Sequence, residues 1–168
     1  ELASQILTIE RLCADLGDVS VNVGLVEGGS ESNVVPEHAQ AVIDARASTL
    51  SGAREVEQII RALRPVRSGT RLEVSGAFSR PPLERTEVVI GLYRAAKSIA
   101  DQLGYQLNEG SAGGGSDGNL TGALGIPTLD GLGAVGNGAH ALDEHVETEH
   151  LAWRSALVAG LISYISAR

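Results

Sequence analysis

At 168 residues the chain has room for one domain or two small ones, and an apolar fraction of 43% is that of a globular protein. Its formal charge of −8, with thirteen Lys and Arg that form no run, argues against nucleic acid as a partner, because binding a phosphate backbone requires clustered cations. No segment approaches the roughly 18 uninterrupted apolar residues of a membrane span, so a soluble chain with no membrane partner is expected.

Leu2, Ile6, Ile9, Cys13 and Leu16 recur at helical steps and predict a first helix closed by Gly17. Cys13, the only cysteine, lies on that stripe as a buried thiol; it allows no internal disulfide and fits a reducing, cytoplasmic compartment. The sequence contains no methionine and opens already in helical period, so its first residue is expected to be a cut edge. Val19, Val21, Val23 and Leu25 alternate with polar residues and glycine, predicting a half-buried strand that ends in the turn Gly28-Gly29. A second strand is expected from Asn33, with Ala39, Ala41, Ile43 and Ala45 facing one way, paired antiparallel with the first.

Val56, Ile59, Ile60 and Leu63 mark a helix over 51–63 stopped by Pro65, and Leu72 and Val74 mark a strand over 71–78. The order α-β-β-α-β is a ferredoxin-like split unit without its first strand. The stretch 79–84, SRPPLE, predicts a linker, since paired prolines resist both helix and central strand. Beyond it, Val88 to Leu103 carry the longest apolar stripe, ended by Gly104. A strand over 105–109, a short helix over 116–124, a buried strand over 126–129 and a final helix capped by Thr148 would make this half α/β, with its site where strands end. Two domains are therefore expected, 1–79 and 80–168.

Residues 109–147 are dense in glycine, which suggests backbone that bends sharply or comes close to something. Gly131, Gly133 and Gly136 spell a dinucleotide-type GxGxxG, but the residues that follow have no helical period to meet a pyrophosphate. GGGSD at 113–117 lacks the lysine and spacing of a P-loop, and Ser116 and Asp117 read as a helix cap. His140, ahead of Asp143, Glu144 and Glu147, is either an ordinary histidine or a metal ligand, and Asp143 or Glu144 is a candidate partner for its ring. His38, His145 and His150 read as structural.

GGGSDGN, GIPTLDGLG and GAHALDEHVE, with VNVGLVEGGSESNVVPEHAQAVIDAR upstream, resemble the zinc exopeptidase family of glutamate carboxypeptidases, aminoacylases and succinyl-diaminopimelate desuccinylases. The resemblance implies an α+β ferredoxin-like lid, which makes a homodimer, followed by an α/β segment of the catalytic domain. It implies that His140 is the last metal ligand and that Arg80 binds the substrate's free carboxylate. Asn33 would reach a neighbouring subunit's site as an amide donor, and Gly114 and Gly115 would line the cleft. On the residues alone, Arg80 could equally be a solvated linker arginine and Asn33 a turn residue.

The same resemblance implies two zinc ions in the complete enzyme and an N-acyl amino acid or small peptide as substrate. The family's His-x-Asp and Glu-Glu phrases do not occur here, and one imidazole does not hold catalytic zinc. The chain alone is therefore expected to be inactive and to retain no zinc, with no catalytic residue of its own. The rival expectation is a non-catalytic dimerisation or binding module derived from that family.

Overall fold

The alternation of Val19, Val21 and Val23 with smaller or polar neighbours builds one strand of a hairpin, β1 (Val19–Gly28), paired antiparallel with β2 (Ala39–Ala47). Helices α1 (Leu2–Cys13) and α2 (Leu50–Ala62) pack against it, enclosing Ile9, Cys13 and Val56 between their apolar stripes and Val19, Val21, Ile43 and Ala45. Thr49 caps α2, its hydroxyl accepting from the Gly52 N–H at 3.1 Å, and the Glu84 carboxylate accepts from the Leu50 N–H at 2.9 Å. A register shift between Val23 and Leu25 breaks the alternation. Inward of it β1 alternates half-buried and exposed; outward, Leu25 and Val26 are both exposed.

The structure is a computed structural model that describes residues 1–167. It divides into two units, Glu1–Glu84 and Arg85–Arg168. Three expectations for the first unit are corrected. α1 stops at Cys13, before Leu16. β2 begins at Ala39 and not at Asn33, because Glu31 O accepts from Val34 N in a turn and Pro36 has no N–H to give a ladder. Residues 71–78 keep the expected alternating burial, and Phe78 reaches the core, yet they form no strand. Among the described residues the sheet ends at β1 and β2, so that segment docks through side chains without a ladder partner.

In the second unit α3 (Glu87–Gln102), capped by the Thr86 hydroxyl, crosses α5 (Leu151–Ser166). The crossing is close because Gly160 has no side chain: a Cβ there would lie 2.8 Å from Ile99 Cγ2. Ala96, Ala100 and Leu157 are fully enclosed beside Trp153 and Leu161. Between these helices lie α4 (Gly118–Ala123) and two short strands, β3 (Gly136–Asn137) and β4 (His145–Val146), paired antiparallel.

The strands expected over 105–109 and 126–129 are absent. Leu107 and Leu129 dock on the α3–α5 core, while Tyr105 N bonds back to Ala100 O and Ile126 N to Thr121 O, so these backbones continue helix ends and do not pair. Ile126 is half-exposed, not buried. Thr148 does not cap α5; it opens a single 3-10 turn, Thr148–His150, that leads into the helix. The observed architecture is thus mixed α and β, with no parallel sheet among the described residues. Among the described residues no helix is long and apolar enough to cross a membrane.

Candidate functional site

The second half of the glycine-dense stretch forms a hairpin whose loop is residues 138–144. Gly136 is required by space, since a Cβ there would overlap the His145 carbonyl oxygen. Gly138 takes φ +73, with the Asp143 carbonyl oxygen 3.1 Å from where its Cβ would stand. Within the loop, Gly138 O accepts from Ala141 N at 2.8 Å and Ala141 O from Glu144 N at 3.3 Å.

His140 sits inside these turns at φ 67, the one non-glycine left-handed residue among those described. That conformation costs an ordinary residue about 1 kcal/mol, and such strain gathers at functional sites. The Glu144 carboxylate accepts from the His140 backbone N–H at 3.3 Å, so the acid braces the main chain and not the ring. Among the described residues the His140 imidazole is exposed and has no hydrogen-bond partner. His145 is different: its Nδ1 lies 2.8 Å from Asp143 O.

Both flanks of the hairpin are fastened to the start of α5. On the incoming side, Arg154 donates Nε to Gly133 O at 2.6 Å and Nη2 to Gly131 O. Leu132 and Val135 pack against the core. On the outgoing side, Trp153 donates its indole N–H to His150 Nδ1 at 2.9 Å, and His150 Nε2 lies 3.0 Å from Glu147 Oε2. Glu147 N donates in turn to Val135 O at 2.9 Å, which ties the two flanks together. Sequence reasoning passed over Trp153 and Arg154. The signal was present, because Arg154 is the only charge in α5.

The other residues singled out in the sequence stand as follows. Asn33 is exposed, in the Glu31–Val34 turn of the long connection between β1 and β2. Arg80 is exposed and belongs to the first unit. Gly114 and Gly115 are exposed in the loop before α4, and Gly114 has open space where a side chain would be. Ser116 does act as a cap: its hydroxyl accepts from Gly118 N at 3.0 Å, and Asn119 Oδ1 accepts from Ser116 N at 2.8 Å. Asn33 and Arg80 are thus in one unit, and Gly114, Gly115 and His140 in the other.

Could these residues hold a metal? Among those described, the group of three whose ligand atoms converge is Glu147, Glu149 and His150, and it does not include His140. The chemistry of His150 speaks against that group. An indole N–H can only donate, so Nδ1 must accept and a neutral ring then carries its proton on Nε2, the atom that faces the carboxylates. A protonated nitrogen cannot ligate. The described residues therefore do not build a metal centre by themselves, and His140 stands as a single imidazole.

Residues 7–164 match the family described as peptidase family M20/M25/M40. The chain belongs to that family. Among M20 relatives, the succinyl-diaminopimelate desuccinylase of Methylococcus capsulatus is 28% identical over 141 residues, covering 83% of this chain and 36% of that protein. The crystal structure of aminopeptidase PepT from Bacillus cereus superposes with a TM-score of 0.70 at 22% identity, over 98% of this chain and 45% of that one. The YXEP protein of Bacillus subtilis, a dinuclear metal binding peptidase of the M20 family, superposes with a TM-score of 0.66 at 21% identity, over 95% and 45%. These two likenesses establish the fold. The chain spans less than half the length of each M20 relative it matches.

Proposed function

We propose that this chain is the lid and the closing catalytic segment of an M20 hydrolase that splits the amide bond of an N-acyl amino acid or small peptide bearing a free carboxylate. The observation that carries the reading is His140: the match to the M20 family runs through it, and it is a strained, exposed, unpartnered imidazole on a hairpin whose glycines have no room for side chains. Such a ring is available to a metal, and zinc suits an imidazole donor. The remaining ligands come from a part of the M20 protein outside this sequence, so the chain alone retains no tight zinc and is inactive.

In this reading the first unit is a ferredoxin-like lid, on which 71–78 docks through side chains such as Phe78, and it joins a second copy to make a homodimer. Asn33, at the far end of the β1–β2 hairpin, donates its amide to substrate in the neighbouring subunit. Arg80, just before Pro81 and Pro82, offers a guanidinium on stiff backbone to the substrate carboxylate, where a bidentate pair selects geometry as well as charge. Gly114 leaves open space for the substrate's backbone, and Gly115 follows it in the same exposed loop.

The test is an assay of the longer protein containing this chain, against N-succinyl amino acids and dipeptides, with metal content measured alongside. His140→Ala should remove about one zinc per subunit and activity with it, and Arg80→Ala should raise KM at least about tenfold with a smaller change in kcat. Full zinc content and activity in His140→Ala would refute the reading, and so would tight stoichiometric zinc on the chain alone.

A further inference from the structure

Arg154 is 8% exposed and carries a full charge, yet no Asp or Glu among the described residues pairs with it. A buried cation without a counter-ion is costly, and an apolar residue would fill the same helix position without that cost. What the guanidinium does have is two carbonyl oxygens, of Gly131 and Gly133, held by adjacent prongs of its fork. It also lies 5.1 Å from the centroid of the Trp153 ring. Trp153, the preceding residue, is stacked on Tyr105 at 4.6 Å and fixes the other flank of the hairpin through His150 and Glu147.

We propose that Trp153 and Arg154 are positioning residues that together set where the His140 imidazole stands. The inference rests on the reading of His140 as the functional side chain of this hairpin. Two neighbouring residues on one rigid helix grip the chain on either side of the His140 loop, at 131–133 and at 147–150. The hairpin itself offers only two residue pairs between β3 and β4, too short a ladder to hold a register unaided. The anchorage therefore comes from α5, which is itself locked to α3 at Gly160 and Ile99. Arginine suits the incoming flank because its planar fork fixes two acceptors at once, which a lysine point charge cannot do.

Arg154→Lys in the intact chain is the first test, since it keeps the stem and the charge and removes the fork. Hydrogen exchange over residues 131–147 should quicken by about tenfold while exchange at Ala96, Ala100 and Leu157 holds, because only the local opening free energy changes. The His140 imidazole proton resonance should shift, with that of His38 in the first unit as the internal control. In Arg154→Ala, millimolar guanidinium should restore slow exchange over 131–147, and sodium chloride of equal ionic strength should not.

Unchanged exchange over 131–147, or exchange that quickens equally across α3 and α5, overturns the proposal. If Arg154→Ala does not fold, the Lys variant decides alone. None of these readouts involves a metal, so they stand apart from the zinc content of His140→Ala, which tests the role of His140 itself.

Discussion

Trp153 donates its indole N–H to His150 Nδ1 at 2.9 Å, and that single bond determines what His150 can be. It places the ring proton on Nε2, where it is donated to Glu147, and takes both nitrogens out of reach of a metal. Nitrogen NMR of the intact chain at neutral pH should show His150 as the Nε2–H tautomer. Trp153→Phe keeps an aromatic ring against Tyr105 but leaves Nδ1 without its donor, and it should lower unfolding free energy by about 1 kcal/mol in urea titrations. A His150 resonance that shifts on adding zinc would contradict this assignment.

Glu1 fastens α1 to the loop that follows α2. Its carboxylate accepts from Gln5 Nε2 at 2.6 Å, from Arg67 N at 2.9 Å, from Val66 N at 3.1 Å and from the Thr70 hydroxyl at 3.0 Å. The Gln5 amide first, then these backbone donors and the hydroxyl, hold the carboxyl down at about 2, against an ordinary glutamate value of 4.5. A depressed carboxyl stabilises the fold above its unfolded value and loses that contribution as pH falls toward the folded one. Glu1→Gln should therefore be less stable than the parent at pH 6, and the gap should close between pH 4.5 and about 2, as read by thermal unfolding across that window. A gap that is constant with pH would mean the bonds are not formed in solution.

Gly160 permits the α3–α5 crossing. Gly160→Ala places a methyl 2.8 Å from Ile99 Cγ2, so the helices must separate or Ile99 must change rotamer, at about 1–3 kcal/mol. Helix propensity alone predicts the opposite sign, a gain of about 1 kcal/mol for replacing an interior glycine. Denaturant midpoints of the two chains decide which effect wins, and packing should.

Cys13 is buried between α1 and the hairpin, and burial pushes its thiol above the ordinary range. A thiol-specific reagent at pH 8 should react only at the rate of opening of the first unit. In denaturing urea the same thiol should react at the rate of a free cysteine. Fast labelling of the native chain would place Cys13 outside the core.

Much of this fold was legible in the sequence because helices carry their own signal. The stripes through Ile9 and Cys13, through Val56 and through Ala96 and Ala100 each became a buried face. The strands that failed, 71–78, 105–109 and 126–129, failed for one reason: apolar alternation shows which side chains turn inward, but a strand also needs a backbone partner, and none is paired with these among the described residues. The site divides in the same way. His140 and the glycines around it were marked by residue type and spacing, and the structure adds that His140 is left-handed. The lone charge of α5 marked Arg154 as unusual, but its partners are the carbonyls of Gly131 and Gly133, and main-chain acceptors cannot be read from residue type; Trp153 takes its role from the ring of His150.

The slip in register after Val23 governs the behaviour of the chain's longest strand pair. Up to that point β1 is backed by the helices; beyond it Leu25 and Val26 stand in water, and the ribbon continues on its own hydrogen bonds to the connection that carries Asn33. An uncovered two-stranded ribbon is marginal, so its far end can open and close without disturbing the core beneath. On the proposed reading of Asn33, a neighbouring subunit that meets it would bear the cost of holding this end still, and tightness of engagement would be set by how far the ribbon had already settled beforehand.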